Sequence, residues 1–174
     1  MKLAGIVRRI DELGRIVVPK EIRKTLHIKN GENLEIFIND DTIVLKKYSE
    51  LGNMQELSDT ITETLNSTLK ASVLISDTDK YISISGPLKK KYLNDEISET
   101  ILKYINDRKT VILKDKSINL TKDKSENENI FISPIISSGD AVGSIIVISK
   151  KELNSCNIES INLLSKVLAK HIES

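Results

Sequence analysis

The 174-residue chain has one cysteine, Cys156, no tryptophan and only two histidines, His27 and His171. A single thiol permits no internal disulfide, and one cysteine with two scattered histidines cannot supply the ligand cluster of a metal site. Neither a glycine-rich phosphate loop nor a nucleophile elbow is present, which removes the commonest signatures of nucleotide and acyl-transfer chemistry. The expectation is a protein without catalytic residues, metal or cofactor. No apolar run is long enough to span a bilayer and no leader-like segment opens the chain, so a cytoplasmic protein with no membrane partner is expected. Charge of one sign is missing too: 26 Lys and Arg stand against 25 Asp and Glu, a net of +1.

The overall balance conceals a local excess. Residues 1–29 carry eight cations against Asp11, Glu12 and Glu21, a net of +5, so the remainder of the chain is net negative. Nucleic-acid affinity comes largely from neutralising phosphates and releasing their counterions, which requires cations gathered on one surface. Arg8 and Arg9 end an apolar stretch, residues 3–10, that reads as a strand, and Arg15 directly follows Gly14 in a turn. Pro19 suits the first turn of a helix over residues 20–27, and Glu21 suits the positive end of its dipole. On a 3.6-residue period Ile22 and Leu26 share one face, while Lys20, Arg23, Lys24 and His27 line the other. Residues 33–38 alternate Leu34, Ile36 and Ile38 inward with Glu35 and Phe37 outward. A second strand, residues 42–48, follows a turn at residues 39–41.

GIVRRIDELGRIVVPKEIRKTL resembles the AbrB-like transition-state regulators, a family of swapped-hairpin DNA-binding domains, and within it the sporulation-regulator branch. The resemblance spans residues 1–50 and implies an α+β chain that opens with a β-barrel shared between two copies, their hairpins interleaved. It also implies double-stranded DNA as partner, contacted at Arg8, Arg15, Arg23 and Lys24; Arg9 and Lys20 extend the same cationic surface. Lys24 stands where arginine is frequent, keeping the charge without the planar fork. Pairing has a physical reason besides resemblance, since about 50 residues bury too little surface to stand comfortably alone.

Residues 51–174 form the second expected domain. Amphipathic helices over residues 51–69 and 157–172 carry apolar stripes that include Ile61 and Leu168. Between them lie strands at residues 71–76, 81–85, 110–113, 130–136 and 141–149 and a helix near 95–107, an order that resembles the GAF-like α/β fold, a small-molecule sensor. The resemblance implies a ligand cavity lined by inward residues such as Leu74, Ile84, Ile132 and Ile146, which a filled core would use equally well. Residues 114–129, poor in apolar side chains, read as a mobile loop. Asp77 and Asp79 could imitate a metal pair, but a hairpin turn explains both.

The function expected is a sequence-specific transcriptional regulator of sporulation genes. Its swapped hairpins would pair two chains, and the surplus of its terminal apolar stripes would join two dimers into a tetramer. An antitoxin also uses a swapped hairpin but trails a toxin-wrapping tail. A GAF-type sulfoxide reductase would need reactive cysteines beyond Cys156.

Overall fold

The computed structural model describes residues 5–26, 28, 30, 31 and 33–173. The chain divides into two units that meet between Tyr48 and Ser49, against an expected boundary between residues 50 and 51.

In the first unit Pro19, with φ −57° and no N–H to leave unpaired, precedes helix α1 (Lys20–Thr25). The Leu26 N–H donates to the Ile22 carbonyl at 2.9 Å and closes the helix; His27, the expected last residue, lies outside the described residues. Strands β1 (Leu34–Asn39) and β2 (Thr42–Lys47) form an antiparallel hairpin, and Asp40 turns it at φ 49°. The pairs Ile36–Leu45 and Ile38–Ile43 put four aliphatic side chains on one face. That face, expected to point inward, is open to solvent within this chain: Ile36 is 67% exposed and Ile38 84%. The strand expected over residues 3–10 is not formed by residues 5–10, and residues 3 and 4 lie outside the described residues. A strand needs a ladder partner to satisfy its backbone, and among the described residues none pairs with residues 5–10 as a strand.

The second unit is a five-stranded antiparallel sheet in the order β4-β3-β9-β8-β5. Its strands are β3 (Ser72–Asp77), β4 (Tyr81–Ser85), β5 (Val111–Leu113), β8 (Asn129–Ser137) and β9 (Asp140–Ser149). Because side chains alternate across a strand, Val73, Ile75, Phe131, Ile135, Ile145 and Val147 face one core, and Leu74, Ile130, Ile132, Ile146 and Ile148 face another. Helices α2 (Gln55–Leu69) and α5 (Ser155–Ile172) cover the first core. Helices α3 (Lys89–Tyr92) and α4 (Glu99–Asn106) pack on the second. The expected first helix begins instead as a 3₁₀ turn, Leu51–Met54, with Ser49 Oγ accepting from the Gly52 N–H at 3.0 Å and donating to Asp77 Oδ2 at 2.8 Å. Asp77 also accepts from the Asp79 and Lys80 N–H groups, both at 2.7 Å, so this carboxylate shapes the β3–β4 turn.

Residues 114–129 form a packed hairpin rather than an unstructured loop. Strands β6 (Ile118–Asn119) and β7 (Ser125–Glu126) pair with each other, and Ile118 and Leu120 bury in the second core. The Leu120 carbonyl accepts from the Tyr81 hydroxyl at 2.8 Å, and the Asn119 carbonyl accepts from Ser98 Oγ at 2.6 Å. Glu126 receives Tyr92 OH at 2.7 Å and Lys91 Nζ at 2.6 Å. Two buried apolar side chains and these long-range bonds outweigh the polar composition that suggested mobility.

The apolar stripes of α2 and α5 are mostly spent inside their own unit, contrary to the expected surplus: Ile61 and Leu168 are 5% and 0% exposed. A stripe buries first on the nearest apolar face, here the sheet. What remains outside on α5 is Leu163 and Val167, one turn apart and 62% and 45% exposed.

Candidate nucleic-acid interface

The cations expected to meet DNA sit on two local scaffolds of the first unit. The first is the turn of residues 11–15. The Gly14 N–H donates to the Asp11 carbonyl at 2.9 Å, and Gly14 takes φ 75°, a conformation that side-chain-bearing residues reach only at a cost. Asp11 organises the bend: Oδ1 accepts from the Leu13 N–H at 3.0 Å and the Arg15 N–H at 2.8 Å. Its other oxygen, Oδ2, accepts from Arg15 Nε at 2.7 Å. The Arg15 backbone N–H, the Arg15 side chain and the Leu13 N–H together hold the Asp11 carboxyl below the usual carboxylate range. A depressed value means that the bend is fully supported above that ordinary range and loses the support as pH falls through the depressed one. The Arg15 side chain stays 70% exposed, so the head group faces solvent although Nε is held.

The second scaffold is α1 with the loop after it. Arg23 is half-buried; Nη1 donates to Asn30 Oδ1 at 2.8 Å, and Nε is enclosed without an acceptor among the described residues. The Ile28 N–H donates to the Arg23 carbonyl at 2.8 Å, and Gly31 turns the chain at φ 81° toward β1. Lys20 and Lys24 are exposed at the two ends of the helix. Arg8 and Arg9 are exposed on residues 5–10; Arg8 reaches only the Val7 carbonyl, at 3.4 Å. Arg9, Lys20 and Lys24 have no side-chain partner among the described residues. Sequence reading missed the roles of Asp11 and Asn30. The i,i+4 spacing of Asp11 and Arg15 across a glycine turn was a usable signal, whereas nothing in the spacing of Asn30, seven positions from Arg23, pairs the two.

The surroundings of these cations are unusual for a folded chain. Among the described residues of the first unit only Pro19 is buried, and fifteen large apolar residues are exposed, Val7, Ile16, Ile36 and Ile43 among them. The second unit exposes five. There Leu74, Ile84, Ile132 and Ile146 come together, each at most 1% exposed, in the core under α4. Cys156 is an exposed free thiol. No group of three or more metal-ligating side chains occurs among the described residues, and no described helix is long and apolar enough to cross a membrane.

Residues 53–173 match the family model described as stage V sporulation protein T C-terminal, transcription factor. Residues 7–52 match the model described as antidote-toxin recognition MazE, bacterial antitoxin. The chain is 40% identical to stage V sporulation protein T of Bacillus subtilis (strain 168), across 99% of each protein. It is also 56% identical over 48 residues to the transition state regulatory protein AbrB of the same organism, covering 28% of this chain and half of AbrB. A crystal structure of the A. aeolicus nlh2 GAF domain in an inactive state superposes with a TM-score of 0.56. It covers 74% of this chain and 87% of that one at 14% identity, a likeness of fold alone.

Proposed function

Because the chain belongs to the stage V sporulation protein T family and is a DNA-binding transcription factor of sporulation, we propose that Arg8, Arg9, Arg15, Lys20, Arg23 and Lys24 form its DNA surface. We assign that surface to residues 1–50 and place regulation and assembly in residues 51–174. The observation that carries this reading is the grouping of six exposed or half-buried cations on one turn, one helix and the segment leading into them. Neutralised phosphates release counterions, so each lost phosphate contact flattens the dependence of log K on log salt by about 0.9. Gel-shift titration of Arg8→Ala and Lys24→Ala at several salt concentrations tests it. Weaker binding is expected from both; unchanged affinity and slope in both variants would remove the surface from this unit.

The family match of residues 7–52 to an antitoxin model concerns the first unit only. The folded second unit favours the regulator over an antitoxin, whose toxin-wrapping segment would be extended. We read the cluster around Leu74, Ile84, Ile132 and Ile146 as a filled core, and the protein as cytoplasmic and without catalytic activity.

We also propose two homotypic contacts per chain. The exposed aliphatic faces of the first unit interleave with a second copy, and the leftover pair Leu163 and Val167 of α5 packs against the same pair of another chain, giving a dimer of dimers. Burying such side chains contributes roughly 1.5–3 kcal/mol each. Leu163→Glu with Val167→Glu is expected to leave the fold intact and convert the tetramer to a dimer in multi-angle light scattering. A tetramer that survives the double substitution excludes α5 as the contact. Ile61 and Leu168 are unsuitable for this test, because charges at buried positions would unfold the unit.

A further inference from the structure

The six cations differ in how they are held, and the difference divides the work of recognition. Arg15 and Arg23 each have a side-chain acceptor of their own: Asp11 Oδ2 takes Arg15 Nε at 2.7 Å, and Asn30 Oδ1 takes Arg23 Nη1 at 2.8 Å. Arg9, Lys20 and Lys24 have none among the described residues, and Arg8 touches only its neighbouring carbonyl. Resting on the DNA surface proposed above, we propose that Arg15 and Arg23 are its sequence-reading residues and Asp11 and Asn30 their positioning residues, while Arg8, Arg9, Lys20 and Lys24 supply sequence-independent phosphate neutralisation.

The chemistry of the two tasks supports the division. A phosphate contact carries no sequence information and is met by charge alone, so it tolerates a swinging side chain, and lysine serves it as a point charge. Reading a base edge demands a planar fork in a defined place, bidentate on the O6 and N7 of guanine for instance, and a free arginine must first lose its rotamer freedom. Clamping Arg15 at Nε leaves all four Nη N–H donors of its exposed head available. Clamping Arg23 at Nη1, with Nε enclosed, leaves three of its five donors.

The charge on Asp11 decides between a base-reading and a phosphate-binding Arg15. An ionised carboxylate beside a polyanion opposes binding, and its attraction for an exposed arginine adds little stability. If Arg15 served only as a phosphate counter-charge, Asp11 would weaken the contact it sits beside. The arrangement is useful where the position of the guanidinium matters more than its net charge. Asp11→Asn separates the two cases, because the Asn amide oxygen can still accept from the Leu13 and Arg15 N–H groups while the charged clamp on Nε is lost.

The test uses the full chain and two probes, a duplex enriched by the wild-type protein from a random-sequence library and a scrambled duplex of the same composition. With Asp11→Asn, and independently with Asn30→Ala, the ratio of the two affinities is expected to fall by roughly 5- to 100-fold. Binding to the scrambled duplex should hold or rise. With Arg9→Ala and Lys24→Ala both affinities should fall together and the ratio should persist. An unchanged ratio in both positioning variants, or an equal fall on both duplexes, overturns the proposal, as does a loss of discrimination in Lys24→Ala as large as in Asp11→Asn. Arg15→Ala run beside them keeps the two claims apart. If neither Arg15→Ala nor Lys24→Ala changes either affinity, the DNA surface itself is misplaced; if Arg15→Ala abolishes discrimination while Asp11→Asn and Asn30→Ala do not, only the positioning roles fail.

Discussion

Ile36→Asp is expected to unfold the first unit and reduce DNA binding more than 100-fold while leaving the melting of the second unit unchanged. Within a single chain this substitution should be harmless, because Ile36 is 67% exposed and surface changes usually stay within about 0.5 kcal/mol. The prediction therefore turns on a second copy covering the Ile36, Ile38, Ile43 and Leu45 face. If those four side chains are buried on association at roughly 1.5–3 kcal/mol each, they supply most of what holds so small a unit together. An unpaired carboxylate placed among them adds the cost of desolvating a charge. Calorimetry of the full chain should show the first transition lost and the second retained, with gel shifts reporting the loss of binding. A variant that keeps both transitions and wild-type affinity would mean that the unit folds and binds without interleaving.

Gly143→Ala should damage the second unit. Gly143 lies in the middle of β9, opposite Asp77 of β3 and Ile135 of β8. A Cβ built there would overlap the Ser76 carbonyl oxygen and press on Leu51 Cδ1. Leu51 can shift, but the Ser76 carbonyl belongs to the neighbouring strand and moves only if the β3–β9 ladder opens. Overpacking of this kind costs about 1–3 kcal/mol and occasionally more, which for a unit of this size lowers the melting temperature by on the order of 5–10 °C. The first unit should be unaffected. Unchanged melting would show that the ladder has more room than its geometry indicates.

Much of this architecture was readable because it rests on local periodicity. The alternation of Ile145, Ile146, Val147 and Ile148 between two cores, the stripe of α5, and the start of α1 at Pro19 all follow from side-chain geometry within a few residues. The local excess of cations was equally legible, since charge counting needs no fold. Features that depend on a distant partner were read wrongly or not at all. The hairpin of β6 and β7 looked like a loop because its order comes from Tyr81, Tyr92, Lys91 and Ser98, whose bonds to it reach across 21 to 39 positions in the chain. Helix α3, only four residues long, was not anticipated.

The amino-acid sequence alone determined the family and the DNA-binding class, through the resemblance carried by residues 5–26, and it determined the order of the five sheet strands and long helices of the second unit and the identity of the cations, because turn residues and 2- and 3.6-residue periods act within short stretches of chain. Tertiary structure alone decided which apolar side chains are spent and which are left over. Ile61 and Leu168 vanish into their own sheet while Leu163, Val167 and the Ile36 face stay open. It also decided that Asp11 and Asn30 hold Arg15 and Arg23. The reason is common to both: burial and hydrogen bonding are properties of pairs of groups, and which pairs meet is settled only when the whole chain has closed on itself.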